Sequence, residues 1–103
     1  MSAATDASLG AGLLKVLADP VRAGIVALLA EESLCTCHLV EELGLTQSGV
    51  SNHLRVLREA GVVDAEPCGR FTYYRLRADV LAGLADELAA LADRARTAGR
   101  RPC

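Results

Sequence analysis

Tryptophan is absent from this chain, and Phe71, Tyr73 and Tyr74 are its only aromatic residues. A core cannot be built on rings here. It has to come from Leu, Val, Ile and Ala, and the many Leu and Ala favour helices. No apolar run is long enough to cross a bilayer, because Lys15, Arg22, Glu31 and Glu32 interrupt the candidates. Met1 to Leu9 lack the basic start and apolar stretch of a secretion signal, so a cytoplasmic location is expected. Internal repeats, low-complexity tracts and an interdomain linker are also missing, and 103 residues then imply one domain over 1–103. No nucleophile–base–orienter set and no phosphate-binding glycine loop is present, which argues against an enzyme. A hydrophobic fraction of 51 % excludes a disordered chain. The core of so small a domain is modest, and pairing with a second copy would enlarge it.

A surplus of positive charge is missing too: the formal net charge is −2. The distribution matters more than the sum, because a partner meets the local field. Met1 to Thr46 holds two basic and six acidic residues. Gln47 to Arg77 reverses the sign, with Arg55, Arg58, Arg70, Arg75 and Arg77 against Glu59, Asp64 and Glu66. Ala78 to Cys103 is balanced. The middle of the chain is therefore the part suited to a phosphate backbone.

Hydrophobic spacing organises the rest. Leu9, Leu13, Leu14 and Leu17 predict a first helix over about Ser8 to Ala18. Asp19-Pro20 ends it and opens a second, since Asp caps a helix well and Pro fits its first position. Val21, Ile25, Leu28 and Leu29 are the buried stripe of that second helix. A short third helix spans about Thr36 to Leu43 and is closed by Gly44. Thr46 caps a fourth over about Gln47 to Ala60, with Val50, Leu54 and Leu57 facing inward. Two strands follow, Val62 to Glu66 and Phe71 to Leu76, joined by a turn at Pro67-Cys68-Gly69-Arg70. Alternation sends one of Tyr73 and Tyr74 inward. The last helix covers about Asp79 to Ala95, with Leu81, Leu84, Leu88 and Leu91 along one side. The ends, 1–7 and 97–103, are expected to be flexible.

Short helix, glycine-containing turn, second helix and basic hairpin together make a winged helix-turn-helix, mainly α, in the order α-α-α-α-β-β-α. Gln47, Ser48, Ser51, Asn52 and Arg55 occupy the exposed side of the fourth helix, and His53 lies beside them. Gln and Asn can read adenine edges, Arg can read guanine and Ser can reach phosphate. His53 can touch phosphate or sit half-buried with a satisfied hydrogen bond. Arg70, at the hairpin tip, can enter a minor groove or meet phosphate. Double-stranded DNA is thus the expected partner.

The four cysteines are Cys35, Cys37, Cys68 and Cys103. In a reducing compartment they read as ligands or sensors before structural disulfides. Cys35-Thr36-Cys37 stands where the third helix begins, about ten residues before the reading helix. In an ideal helix residues i and i+2 point about 200° apart, so a fully helical pair cannot grip one ion. Binding then requires an extended or unwound start to this helix, and a helix N-terminus there favours thiolate. Soft thiolates select thiophilic ions.

The stretch from Leu14 to Leu76 resembles the ArsR/SmtB family of winged-helix metalloregulators. Leu17-Ala18-Asp19-Pro20-Val21-Arg22 carries part of the resemblance. Leu45 through Val63, with Thr46-Gln47-Ser48-Gly49-Val50-Ser51-Asn52-His53-Leu54-Arg55 at its centre, carries most of it. Gly69-Arg70-Phe71-Thr72-Tyr73-Tyr74-Arg75-Leu76 is similar to the family's wing. The resemblance implies a homodimer paired through the first and last helices. It also implies a repressor that binds a palindromic operator when metal-free and releases it when a metal binds.

Leu34-Cys35-Thr36-Cys37-His38-Leu39 is similar to the third-helix motif of the family's arsenic and cadmium/lead sensors, usually Leu-Cys-x-Cys-Asp, with His38 in place of Asp. The resemblance implies As(III), and with it Sb(III), as the inducer held by Cys35 and Cys37. Cd(II) or Pb(II) on the same thiols, and thiol oxidation, are the alternatives. Cadmium/lead sensors need cysteines in an N-terminal arm, and Met1 to Leu13 has none, so arsenic leads. Zinc and nickel sensors use His on the last helix, and Asp79 to Ala95 has none. As(III) commonly takes three sulfurs. The third ligand stays open among Cys103, His38, Cys68, solvent and a small thiol.

Overall fold

The computed structural model describes residues 10–103. The order is α1 (Ala11–Leu17), α2 (Pro20–Leu29), β1 (Leu34–Cys35), α3 (Thr36–Leu43), α4 (Gln47–Glu59), β2 (Val63–Cys68), β3 (Phe71–Leu76) and α5 (Ala78–Arg96). The expected first helix is present from Ala11. Its expected start at Ser8, with Leu9 of its stripe, lies outside the described residues, as do residues 1–7, for which flexibility was expected.

The helix boundaries follow from their caps. Asp19 stays extended and accepts a hydrogen bond from the Arg22 N–H at 3.0 Å, with Pro20 at the first position of α2. Thr46 Oγ1 accepts from the Gly49 N–H at 3.1 Å and starts α4. Gly44 ends α3 at φ 67, a left-handed conformation that a Cβ would strain. Gly10 caps α1 at φ 69, and there space matters as well. A Cβ on Gly10 would stand 2.7 Å from Leu84 Cδ1 and 3.0 Å from Glu87 Oε1, so this glycine lets α1 approach α5.

The sheet corrects the expected order in one respect. It has three strands, arranged β1-β3-β2, where the sequence showed two. Leu34 pairs with Tyr74 and Cys35 with Tyr73, antiparallel. A two-residue strand has no periodicity to detect, and only its partner strand defines it. The hairpin is also tighter than expected. β2 continues to Cys68, which pairs with Phe71, so the turn is Gly69-Arg70 rather than four residues. Pro67 is tolerated inside β2 because β2 is an edge strand.

Ile25 and Leu29 of α2, Leu34, Leu39 of α3, Val50, Leu54 and Leu57 of α4, and Val62 and Val63 form one buried cluster. The stripes predicted for α2 and α4 are its centre. Of the two tyrosines, Tyr74 packs against this cluster. The last helix runs from Ala78 to Arg96 and is the least covered. Leu84 is buried, but Leu88 is 44 % exposed, as is Leu14 on α1. The molecule is accordingly elongated, 61 × 26 × 23 Å. Beyond Arg96 the chain has no helix or strand and is exposed through Cys103.

Candidate functional site

The thiol pair sits at a junction of strand and helix. Cys35 has φ −89 and ψ 169, extended backbone fixed by its pairing with Tyr73, and it serves as the residue before α3. Cys37 is the second residue of α3. The two are therefore in different conformations, and the opposed directions of a fully helical pair do not arise. The extended start that one-ion binding requires is built into the fold and needs no unwinding. The Cα atoms are 5.4 Å apart and the two Sγ atoms are joined as a disulfide. Cys35 is buried and Cys37 exposed, so one sulfur is anchored and the other faces outward.

His38 completes the cluster. It is the third residue of α3, and its Nδ1 accepts from the Cys35 N–H at 3.2 Å, half of a capping box. The same Nδ1 lies 3.3 Å from Cys35 Sγ. The ring packs edge-on against Tyr73 with centroids 6.0 Å apart. Tyr73 is thus the tyrosine on the side of the sheet away from the main core. The ligand atoms of Cys35, Cys37 and His38 all lie within 4.8 Å of one another, the one such group of three among the described residues. Cys68 and Cys103 are exposed, unpaired and outside this group.

The DNA-reading candidates divide into free and tethered. Gln47, Ser48, Ser51, Asn52 and Arg55 are exposed on α4. Arg55 lies along its own helix, donating to Asn52 Oδ1 at 3.1 Å and standing 3.8 Å from Glu59. His53 is half-buried and turned inward, 3.3 Å from Arg22 and 3.8 Å from Asp19. Arg75 and Arg77 are committed to Asp64, at 2.9 and 3.6 Å, and Arg77 also to Asp79. Among the described residues, the two arginines of the Gln47–Arg77 stretch that form no ion pair are Arg58 and Arg70. Arg70 is exposed at the hairpin turn.

The thiols and two of the candidate DNA-reading residues line one cleft. An open cleft of about 400 Å³ is lined by Cys35, Thr36 and Cys37 together with Gln47, Arg70, Phe71, Thr72 and Tyr74. The first residue of α4 and the tip of the hairpin thus line the same cleft as the two cysteines. Sequence spacing did not reveal this, because Cys37 and Arg70 are brought together only by the pairing of β1 with β3.

Comparison with known proteins places this arrangement. The sequence pattern described as "Bacterial regulatory protein, arsR family" matches residues 19–65, from the α2 cap through the first residues of β2. An uncharacterized HTH-type transcriptional regulator of Methanocaldococcus jannaschii is 38 % identical over 82 residues, 76 % of this chain and 92 % of that protein. The chain belongs to the ArsR family. The arsenic resistance transcriptional regulator ArsR1 of Pseudomonas putida is 44 % identical over 69 residues, 66 % of this chain and 54 % of that protein. A crystal structure of a possible transcriptional regulator for arsenical resistance superposes with a TM-score of 0.69 at 35 % identity, covering 85 % of this chain and 96 % of that one.

ArsR-family proteins are DNA-binding transcriptional regulators, and the winged helix-turn-helix seen here is theirs. No helix among the described residues is long and apolar enough to cross a membrane. His53 takes the half-buried of its two expected positions, with Arg22 and Asp19 of the α2 start as the neighbours the sequence did not name. The capping role of His38 was missed, although a polar residue three positions after the cap residue is its signal.

Proposed function

We propose that this chain is a metal-responsive repressor that binds operator DNA as a homodimer in the cytoplasm and releases it when As(III), or Sb(III), is captured by Cys35 and Cys37. The observation that carries the reading is the cleft that Cys35 and Cys37 line together with Gln47 and Arg70. The reduced thiols displace two hydroxyls of arsenous acid; two sulfur–arsenic bonds form and two waters leave. Occupancy of the cleft moves Gln47 and Arg70 from the positions that DNA needs, so inducer and operator favour different arrangements of the same wall. Coupling runs through this shared wall and not through unwinding of α3.

In the DNA complex Gln47, Ser48, Ser51, Asn52 and Arg55 face the major groove. Arg70 meets the backbone or minor groove, and His53 positions α4 from behind. The operator half-sites lie about one helical turn apart. The exposed Leu14 and Leu88 suit a dimer interface built from α1 and α5. The similarity to the Pseudomonas putida regulator supports arsenic as inducer. Gel shifts of the reduced protein, with and without arsenite, test the reading. Wild type should lose the operator, and the Cys35→Ser/Cys37→Ser variant should hold it; release by arsenite in that variant overturns the site.

The separation of the two cysteines, 5.4 Å between Cα atoms, is one a disulfide can span, which favours a second reading, redox control. Peroxide would take two electrons and two protons from the dithiol, giving the disulfide and two waters. Release of DNA by peroxide in metal-free buffer, reversed by reductant, would establish it.

A further inference from the structure

We infer that Arg77 is a positioning residue for operator recognition: it clamps the root of the wing to the start of α5, and so sets the half-site spacing that the dimer accepts. This rests on the proposed homodimer through α1 and α5, and it concerns the choice of DNA rather than the inducer.

The joint between wing and helix is a single residue. β3 ends at Leu76 and α5 begins at Ala78, so only Arg77 separates them. Its backbone is extended, with φ −85 and ψ 96. A swing of the wing against α5 turns on the few soft dihedrals here. Arg77 is tied on three sides. Its N–H donates to the Val62 carbonyl at 2.8 Å, just ahead of β2. Its guanidinium forks onto Asp79 in the first turn of α5, with Nε 3.1 Å from Oδ1 and Nη2 2.9 Å from Oδ2. Nη1 stands 3.6 Å from Asp64 Oδ1 on β2. Asp64 is held in turn by Arg75 of β3, at 2.9 Å.

These side chains are partly exposed, Asp79 at 69 %, and single pairs of this kind add little to stability. Their effect is geometric. A planar fork fixes direction as well as distance, which a point charge does not. One guanidinium here joins two elements, β2 of the wing and α5 of the proposed interface. The lever is long: the six residues of β3 span about 17 Å from root to turn. A swing of about 10° at the root moves the hairpin tip by about 3 Å, close to the rise of one base pair, about 3.4 Å. With α5 in the dimer interface, the same angle in both chains sets the distance between the two wings. That distance decides which half-site spacing fits.

The test uses reduced full-length protein and a palindromic operator selected from random DNA by wild type. Two further operators carry one base pair more and one fewer between the half-sites, and quantitative gel shifts give the affinity ratios. Wild type should lose roughly tenfold or more when the spacing changes, the scale of a mismatched base pair. Arg77→Lys keeps the charge without the fork, and its loss should shrink to less than about threefold. Asp79→Ala should loosen the spacing in the same way, although every basic group stays in place. A role in phosphate charge alone would instead raise its affinity for all three operators equally. Arg75→Ala, which removes a contact within the hairpin, should discriminate like wild type. All three variants should sediment as wild type does. Full discrimination in either Arg77→Lys or Asp79→Ala, equal loosening in Arg75→Ala, or dissociation of Arg77→Lys into monomers each overturn the inference. A wild type that accepts every spacing equally overturns the homodimer reading and the inference with it. No readout involves arsenite, so the inducer assignment stands or falls separately.

Discussion

The Arg22 guanidinium lies 3.3 Å from His53 Nδ1, joining the start of α2 to the middle of the reading helix across 31 residues of sequence. The same guanidinium is fixed on a second side, donating from Nε to the Val16 carbonyl at 2.7 Å near the end of α1. His53 in turn stands 3.8 Å from Asp19. One arginine therefore sets the position of α4 relative to the α1–α2 corner, behind the face that carries Gln47, Ser51 and Asn52.

Arg22→Ala and His53→Ala should each weaken operator binding by about fivefold, the equivalent of one partly buried hydrogen bond at about 1 kcal/mol. The double variant should be little worse than either single one, since both remove the same contact. The salt dependence of binding should be unchanged, because no phosphate contact is lost. Quantitative gel shifts at several salt concentrations check both points. A shallower salt slope in His53→Ala would mean that His53 itself meets the backbone.

Asp19 ties the same corner to pH. Its carboxyl is held below the ordinary carboxylate value chiefly by the Arg22 N–H that it caps, which outweighs the opposing effect of desolvation, while His53 and the Arg22 charge add smaller lowering effects. A lowered folded-state pKa means that the stabilisation is fully present above the unfolded carboxylate value. It is lost as pH falls through the folded one. Thermal melts between neutral and strongly acid pH should show the melting temperature of wild type falling in the acid limb. In Asp19→Ala it should start lower and fall less steeply.

What the sequence made visible was whatever repeats within one element. The apolar spacing of Val50, Leu54 and Leu57, the Thr46 cap and the alternation of β3 are local, and the structure has them where expected. What it hid depends on partners distant in the chain. β1 exists only because Leu34 and Cys35 meet Tyr74 and Tyr73. The helical phase of Cys35 and Cys37 set up a conflict that this strand removes, because its last residue lies outside the helix. The committed state of Arg75 and Arg77 was equally invisible: their carboxylate partners, Asp64 and Asp79, count as charge in a composition and as contacts only in the fold.

Leu88 is 44 % exposed, whereas Leu84, one turn earlier on the same stripe, is buried. Apolar area left uncovered at this position is a cost that the second copy of the proposed dimer would remove. Leu88→Glu should shift the protein from dimer to monomer in sedimentation velocity at micromolar concentration, and should lower operator affinity with it, since two half-sites need two reading helices. A Leu88→Glu protein that sediments as wild type would move the interface elsewhere.

Arg70 stands on both sides of the proposed switch, in the wall of the thiol cleft and, without an ion pair among the described residues, at the exposed hairpin turn. Its two roles separate experimentally. If Arg70 neutralises a phosphate, Arg70→Ala should lower the slope of log affinity against log salt by about 1 per bound chain. If it also transmits the state of the cleft, arsenite should weaken operator binding by a smaller factor in Arg70→Ala than in wild type. Arsenite affinity for the free protein should stay the same, because the sulfurs are untouched. A reduced salt slope with the full arsenite effect would leave Arg70 as a phosphate contact alone and transfer the coupling to Gln47 on the opposite element of the same wall.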